Sequence, residues 1–381
     1  MRNGKYWIGQ IHLWLGLVSG LVVFIVCVTG CLFAFQEEIS NVVYRHTFFI
    51  PAEAPVQRNS RVPLPLSRLL DTAQTALGAA QPVNYITTYA VRDRTWEFMA
   101  YKSNDTALTY FGSLTYFRSV FVDPYTGKVT GFRDYKHDFF NIVKYLHWSL
   151  LLNTAYGQPI VGWSTLIFVV LLVTGLVLWW PKRWRKADRR RSLTIMWKAR
   201  FKRLNYDLHN VLGFYSLLLA LVLALTGMVF SFSWFSRAVY VAAAGTTAPS
   251  PAREVKSRPT TAAPTPNPLD IAYTDALRRL PDAKRIGVSP AKGPAATINI
   301  DGYKGKETYY NRDELAFDRY SGRLLQRRDE AKKNRGDRLI DMNYDIHVGA
   351  IGGLTGKVIT FLISLICASL PVTGFLVWWK K

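Results

Sequence analysis

Residues 208–235 carry no charged side chain over twenty-eight positions. About 20 apolar residues suffice to cross a bilayer, so this stretch predicts a membrane span. A second uncharged stretch, 11–35, repeats it at a constant offset of 197. His12 matches His209, Gly16 matches Gly213, Thr29-Gly30 matches Thr226-Gly227, and Phe33 and Phe35 match Phe230 and Phe232. Two further apolar blocks, 160–180 and 358–379, repeat each other at offset 199. Gly157 matches Gly356, Thr174-Gly175 matches Thr373-Gly374, and Trp179-Trp180 matches Trp378-Trp379. In lipid only a helix satisfies its own backbone within one segment, so all four blocks are expected to be transmembrane helices.

Between the spans lie polar segments with the same duplication. The first carries a helical apolar stripe over 65–77 and strand-like runs at 84–91, 95–101 and 108–122. The second carries a helix over 268–280 and strands at 296–301 and 307–313. Each ends in a turn built on Asp123-Pro-Tyr125-Thr-Gly127 or Asp318-Arg-Tyr320-Ser-Gly322, related at offset 195. Residues 243–268 read as a Pro/Ala/Thr linker. The expected architecture is a mainly α membrane protein, four transmembrane helices in a tandem (2+2) parallel repeat with two extracytoplasmic α+β modules. Its segments run 1–10 cytoplasmic, 11–35 span one, 36–145 first outer module, 146–180 span two with an outer extension, 181–206 basic loop. They continue 207–235 span three, 236–345 second outer module, and 346–379 span four with an outer extension.

A net charge of +22 would suggest nucleic acid in a soluble chain, but its placement argues otherwise. Residues 182–203 hold eleven Lys or Arg against one Asp, in the short loop between spans two and three. Short basic loops stay cytoplasmic. With Arg2 and Lys5 before span one and Lys380-Lys381 after span four, both termini are expected inside and both modules outside. The paired tryptophans suit an aromatic belt at the cytoplasmic face. Cys27, Cys31 and Cys367 all fall within spans, so no disulfide framework is expected outside, and no C-x-x-C-H motif for covalent haem exists. Val28-Thr29-Gly30-Cys31 loosely resembles a lipoprotein cleavage site. Its repeat partner places Met228 at the cysteine position, which favours a retained helix.

Of six histidines, four are repeat-related: His12 with His209 and His147 with His347. The first two lie at the cytoplasmic ends of spans one and three, the other two ahead of spans two and four on the outer side. Imidazole is a common axial ligand of haem iron, and each two-fold pair supplies two ligands to one centre. Zinc or copper would need a third nitrogen, sulfur or carboxylate at fixed spacing. Two bis-His haem b sites are therefore expected, with Gly16 and Gly213 letting a macrocycle near the backbone. From His147 to Trp180 a continuous helix would be about 50 Å long, so breaks are expected near 153–159 and 349–356. The outer site should lie at or above the outer interface. His46 and His137, without repeat partners, read as ordinary outer-module residues, and Asp123 and Asp318 as turn formers. No nucleophile or acid–base motif is present, so no catalytic residue is assigned.

These features together resemble the PepSY-associated transmembrane proteins, bacterial inner-membrane proteins often linked to iron uptake. The resemblance rests on four spans, the His-x-x-x-Gly openings, the Thr-Gly pairs and the Asp-x-x-x-Gly turns, and it covers essentially the whole chain. It implies PepSY outer modules in the periplasm and a di-haem reductase of the ferrioxamine-reducing kind, passing electrons from the cytoplasmic side to a ferric siderophore. Without a Gly-x-Gly-x-x-Gly motif or a nicotinamide or flavin domain, the donor would be a separate reductase or the quinol pool. Two other readings stay open: a di-haem carrier serving another periplasmic acceptor or quinone, and a non-enzymatic PepSY sensor or assembly protein.

Overall fold

The computed structural model describes residues 4–51, 61–181, 185–248, 255–259 and 267–379. The expectations resting on Arg2, Lys182, Arg183, Lys380 and Lys381, and on 249–254 and 260–266 of the linker, lie outside the described residues. Among the described residues, four helices are long and apolar enough to cross a membrane: Gly4–Phe33, Thr154–Trp179, Phe201–Ser231 and Ala350–Trp379. Their outward faces leave Val18, Leu21 and Leu218 about seven-tenths exposed, as suits side chains that meet lipid.

Helix α1 (Gly4–Phe33) is continuous, and α2 (Gln36–Val43) follows it. After α3 (Leu66–Leu77) come β1 (Tyr85–Tyr89), β2 (Trp96–Ser103), β3 (Leu114–Val122) and β4 (Val129–Asp134). Helix α4 (Phe139–Ser149) precedes the spanning α5 (Thr154–Trp179). The second half continues with α6 (Phe201–Asp207), a π-helical turn at Leu208–Leu212, and α7 (Gly213–Ser231). Then follow α8 (Ser233–Ala244), α9 (Pro268–Arg279), β5 (Arg285–Ser289), β6 (Thr297–Tyr303), β7 (Arg312–Asp318) and β8 (Leu324–Arg328). Helix α10 (Arg335–His347) leads into α11 (Gly353–Trp379).

All eight strands join one antiparallel sheet in the order β4-β3-β2-β1-β5-β6-β7-β8. The two polar segments meet where β1 pairs with β5, Ile86 opposite Val288. Helices α3 and α9 contribute to a single core: Leu66, Leu69 and Ala73 from one, Ala272 and Ala276 from the other, with Ile86, Phe98, Val120, Ile300 and Phe317 of the sheet. Alternate strand residues face that core, the period-2 pattern of a half-buried sheet. The helices are also tied directly. Asp270 on α9 accepts from the Ser67 N–H at 2.8 Å and from the Ser67 hydroxyl at 2.5 Å.

Three local departures from the sequence reading have physical causes. The expected strand over 108–122 begins instead with a helical turn at Tyr110–Ser113, because Tyr110 is drawn fully inside. Its hydroxyl donates to the Lys136 carbonyl and accepts from Asn141, both at 2.8 Å. The expected strand at 307–313 starts only at Arg312. The N–H groups of Tyr309 and Tyr310 are spent on the buried Asp345 carboxylate rather than on a sheet partner. Residues 255–259 of the linker dock on the second module, where Ser257 donates to the Ala295 and Ala296 carbonyls.

The two Asp turns form as read. Asp123 accepts from Tyr125 N–H and the Thr126 hydroxyl, and Asp318 from Tyr320 N–H and Ser321 N–H. Each closes on a glycine in the left-handed region, Gly127 and Gly322.

Candidate cofactor site: two histidine pairs

The helix breaks ahead of spans two and four set up the site. Between α4 and α5 the chain turns through left-handed Leu150 and Leu151, and between α10 and α11 through left-handed Gly349 and Gly353. The first break therefore precedes the expected 153–159 window, and Pro159 lies within α5. Each turn lets the preceding helix end pack on its span. A Cβ on Gly157 would overlap the Ser149 carbonyl oxygen, and one on Gly356 would overlap the Gly349 carbonyl oxygen.

Tucked this way, α4 and α10 carry His147 and His347 toward each other, with ring centres 6.0 Å apart and planes at 64°. At the other end of the bundle His12 and His209 face each other at 6.4 Å and 86°. A metal–imidazole bond of about 2 Å, plus about 1.1 Å from nitrogen to ring centre, places two trans imidazoles about 6 Å apart. Both pairs have that spacing. Among the described residues no three His, Cys, Asp or Glu converge on a metal position, so each pair offers two protein ligands and no third.

The Thr-Gly dipeptides supply the support. His12 Nδ1 lies 2.9 Å from the Thr174 hydroxyl, His209 Nδ1 3.0 Å from Thr373, His347 Nδ1 2.9 Å from Thr226, and His147 Nδ1 3.2 Å from Thr29. Each threonine already donates its single proton to a carbonyl one turn back, at Val170, Ser369, Val222 and Ile25. Its oxygen must therefore accept from the imidazole, which makes Nδ1 the protonated nitrogen. His147 Nδ1 also lies 2.8 Å from the Val26 carbonyl, which can only accept. In all four rings Nε2 is left with the lone pair, the tautomer a metal ligand needs.

The glycine of each dipeptide lies against the same ring. An added Cβ at Gly374 would stand 3.1 Å from His209 Cε1, a tight approach. One at Gly175, Gly227 or Gly30 would stand 3.4–3.5 Å from the Cε1 of His12, His347 or His147, an ordinary contact. Gly16 and Gly213, expected to let a macrocycle near the backbone, lie one turn past His12 and His209, where an added Cβ would stand 3.9 Å from Leu171 and 3.6 Å from Leu370.

Along α1, His12 and Thr29 are 17 residues apart, about 25 Å at 1.5 Å per residue. The same interval separates His209 from Thr226. The outer pair is thus seated against Thr29-Gly30 and Thr226-Gly227, near the ends of α1 and α7. A cavity of about 230 Å³ opens beside it, lined mainly by apolar residues including Val26, Phe168 and Leu223. His46 lies apart on a short helical turn, Arg45–Phe48, and His137 sits exposed beside Asp134. Cys27, Cys31 and Cys367 are free thiols packed within the bundle, two of them lining the outer cavity.

A family model for the PepSY-associated transmembrane region matches residues 10–381. The chain belongs to the PepSY-associated transmembrane family. No curated protein matches it. The PepSY-associated chain thus brings together all four histidines singled out in its sequence, two at each end of one bundle.

Sequence reasoning missed Asn205 and Asn343, each four residues before a paired histidine. Their amides donate to the carbonyls of Thr373 and Thr226, the residues that hold those histidines, at 3.0 and 3.1 Å. The signal was present as Asn-x-x-x-His, seen twice in the second half. The π-helical turn around His209 has no such signature, though turns of this kind recur at functional sites.

Proposed function

We propose that this protein is a di-haem b oxidoreductase of the bacterial inner membrane that passes electrons from the cytoplasmic side to a ferric siderophore in the periplasm, releasing Fe(II). The observation that carries this reading is the pairing of His12 with His209 and of His147 with His347 at the separation of trans imidazole ligands. Haem b held by each pair would supply one-electron redox chemistry near each membrane face. The threonine hydroxyls hold Nδ1–H so that Nε2 is presented, and the mainly apolar cavity beside the outer pair suits a flat hydrophobic macrocycle. The basic stretch 182–203 orients the spans with the His12–His209 end inside. Each half then reads as one copy of a unit, span, PepSY module and span, and the two modules merge into the sheet above the outer pair.

Reduction suits the absence of a nucleophile or acid–base motif. Siderophores hold Fe(III) far more tightly than Fe(II), so one electron releases the metal without breaking the chelator. The test is to reduce the purified protein with dithionite, remove the excess, and add ferrioxamine with an Fe(II) trap. Reoxidation with Fe(II) appearing in equal amount is expected. A reduced protein that persists beside ferrioxamine but is reoxidised by a quinone would redirect the electrons to another acceptor.

A further inference from the structure

The outer cavity contains a cation that two imidazole ligands do not use. Lys144 lies one turn before His147 on α4, and its repeat equivalent Tyr344 lies one turn before His347 on α10. Both line the cavity. Tyr344 is 37 % exposed, which places it toward the rim. Lys144 Nζ rests 5.1 Å from the Tyr145 ring centre and 6.0 Å from that of Phe117. Among the described residues no carboxylate lies within ion-pair reach of it. Asp138, whose charge does reach it, is bonded to Arg133 at 2.7 Å. Burial among these rings lowers the ammonium to about 8, with Asp138 opposing. An ammonium withdrawn from water without a counter-ion is costly, and a bound anion removes that cost. The Tyr344 hydroxyl likewise has no hydrogen-bond partner among the described residues.

We propose that Lys144 and Tyr344 form a carboxylate-binding site at the rim of the outer cavity, taking the acidic end of a ligand whose apolar body lies along the cavity wall. The inference rests on the haem reading above. Two sources share this chemistry: a propionate of the macrocycle held by His147 and His347, and a carboxylate of a carboxylate-bearing ferric chelate, for which ferric citrate is the probe.

The experiment compares the full-length purified protein with Lys144→Gln, Lys144→Arg and Tyr344→Phe. It measures haem per chain, both midpoint potentials, and the affinity of the oxidised protein for ferric citrate. If a propionate is bound, Lys144→Gln lowers one potential, Lys144→Arg restores it, and ferric citrate affinity stays level. If a substrate carboxylate is bound, both potentials hold while Lys144→Gln, but not Lys144→Arg, weakens ferric citrate binding by about tenfold. Should the glutamine variant lose a haem, Tyr344→Phe decides, and the proposal then requires either one potential or the ferric citrate affinity to fall in it. Two haems with unaltered potentials and affinity in every variant would overturn the proposal and leave the di-haem reading standing. A wild-type protein without haem overturns both.

Discussion

The two halves of the chain present their histidines alike but support them differently. In the first half His12 sits within the unbroken α1, and Ile8 and Gln10 stand four and two residues before it. His147 lies in the last turn of a helix tied down at its start, where Asp138 caps α4 and pairs with the buried Arg133. In the second half His209 lies in a π-helical turn and His347 at the last residue of α10. There each histidine is preceded by Asn at four and Asp at two. Asn205 and Asn343 grip the opposing threonine carbonyl. Asp207 pairs with Arg203 at 2.8 Å and accepts from Met196 N–H, while Asp345 gathers the N–H groups of Tyr309 and Tyr310. One geometry is reached by helix continuity and capping in one half, and by side-chain tethers to loops in the other.

If that equivalence of outcome is real, alanine at His12, His147, His209 or His347 should each remove one haem of two, read as haem per chain. Loss of both from a single substitution would break the symmetry. Thr373→Val and Thr174→Val remove the hydroxyl acceptors of the His209 and His12 Nδ1–H groups. Each should weaken haem binding about 10- to 100-fold, as loss of an outer partner does elsewhere. Sharper contrast is expected from Asp345→Ala, which removes the acceptor of two part-buried N–H groups and should cost about 1–2 kcal/mol in thermal unfolding. Gln10→Ala, at the first-half place that corresponds to Asp207, should stay within about 0.5 kcal/mol. Asn343→Ala removes one hydrogen bond and should cost about 1 kcal/mol.

The sheet offers the smallest contrast. β6 places Asp301 opposite Glu314, where β2 places Met99 opposite Ser119. Desolvation first, opposed by Arg312, and then the Glu314 charge raise the Asp301 carboxyl from 3.8 to about 6. A raised carboxyl favours the folded state below the unfolded value and loses that advantage as pH climbs through about 6. Asp301→Asn should therefore gain on the order of 1 kcal/mol at pH 8 and nothing at pH 4. Equal gains at both pH values would assign the effect to packing.

The spans, the four histidines and the two Asp turns were legible because each rests on a local pattern that the chain writes twice. The role of Thr-Gly was not. The dipeptide is visible, but Thr174 lies 162 residues from the His12 it holds, and Thr373 164 from His209. Nothing in local spacing selects that partner over Gly16. Fusion of the modules through β1 and β5 was hidden for the same reason, since it joins segments some two hundred residues apart. The strand shift at 307–313 turned on Asp345, whose burial depends on the whole outer end of the bundle.

The most direct test of the central claim is the absorption spectrum of the purified protein, oxidised and dithionite-reduced, with haem counted per chain after expression with ample haem supply. The account predicts two low-spin b-type haems per chain. A folded, colourless protein would contradict it.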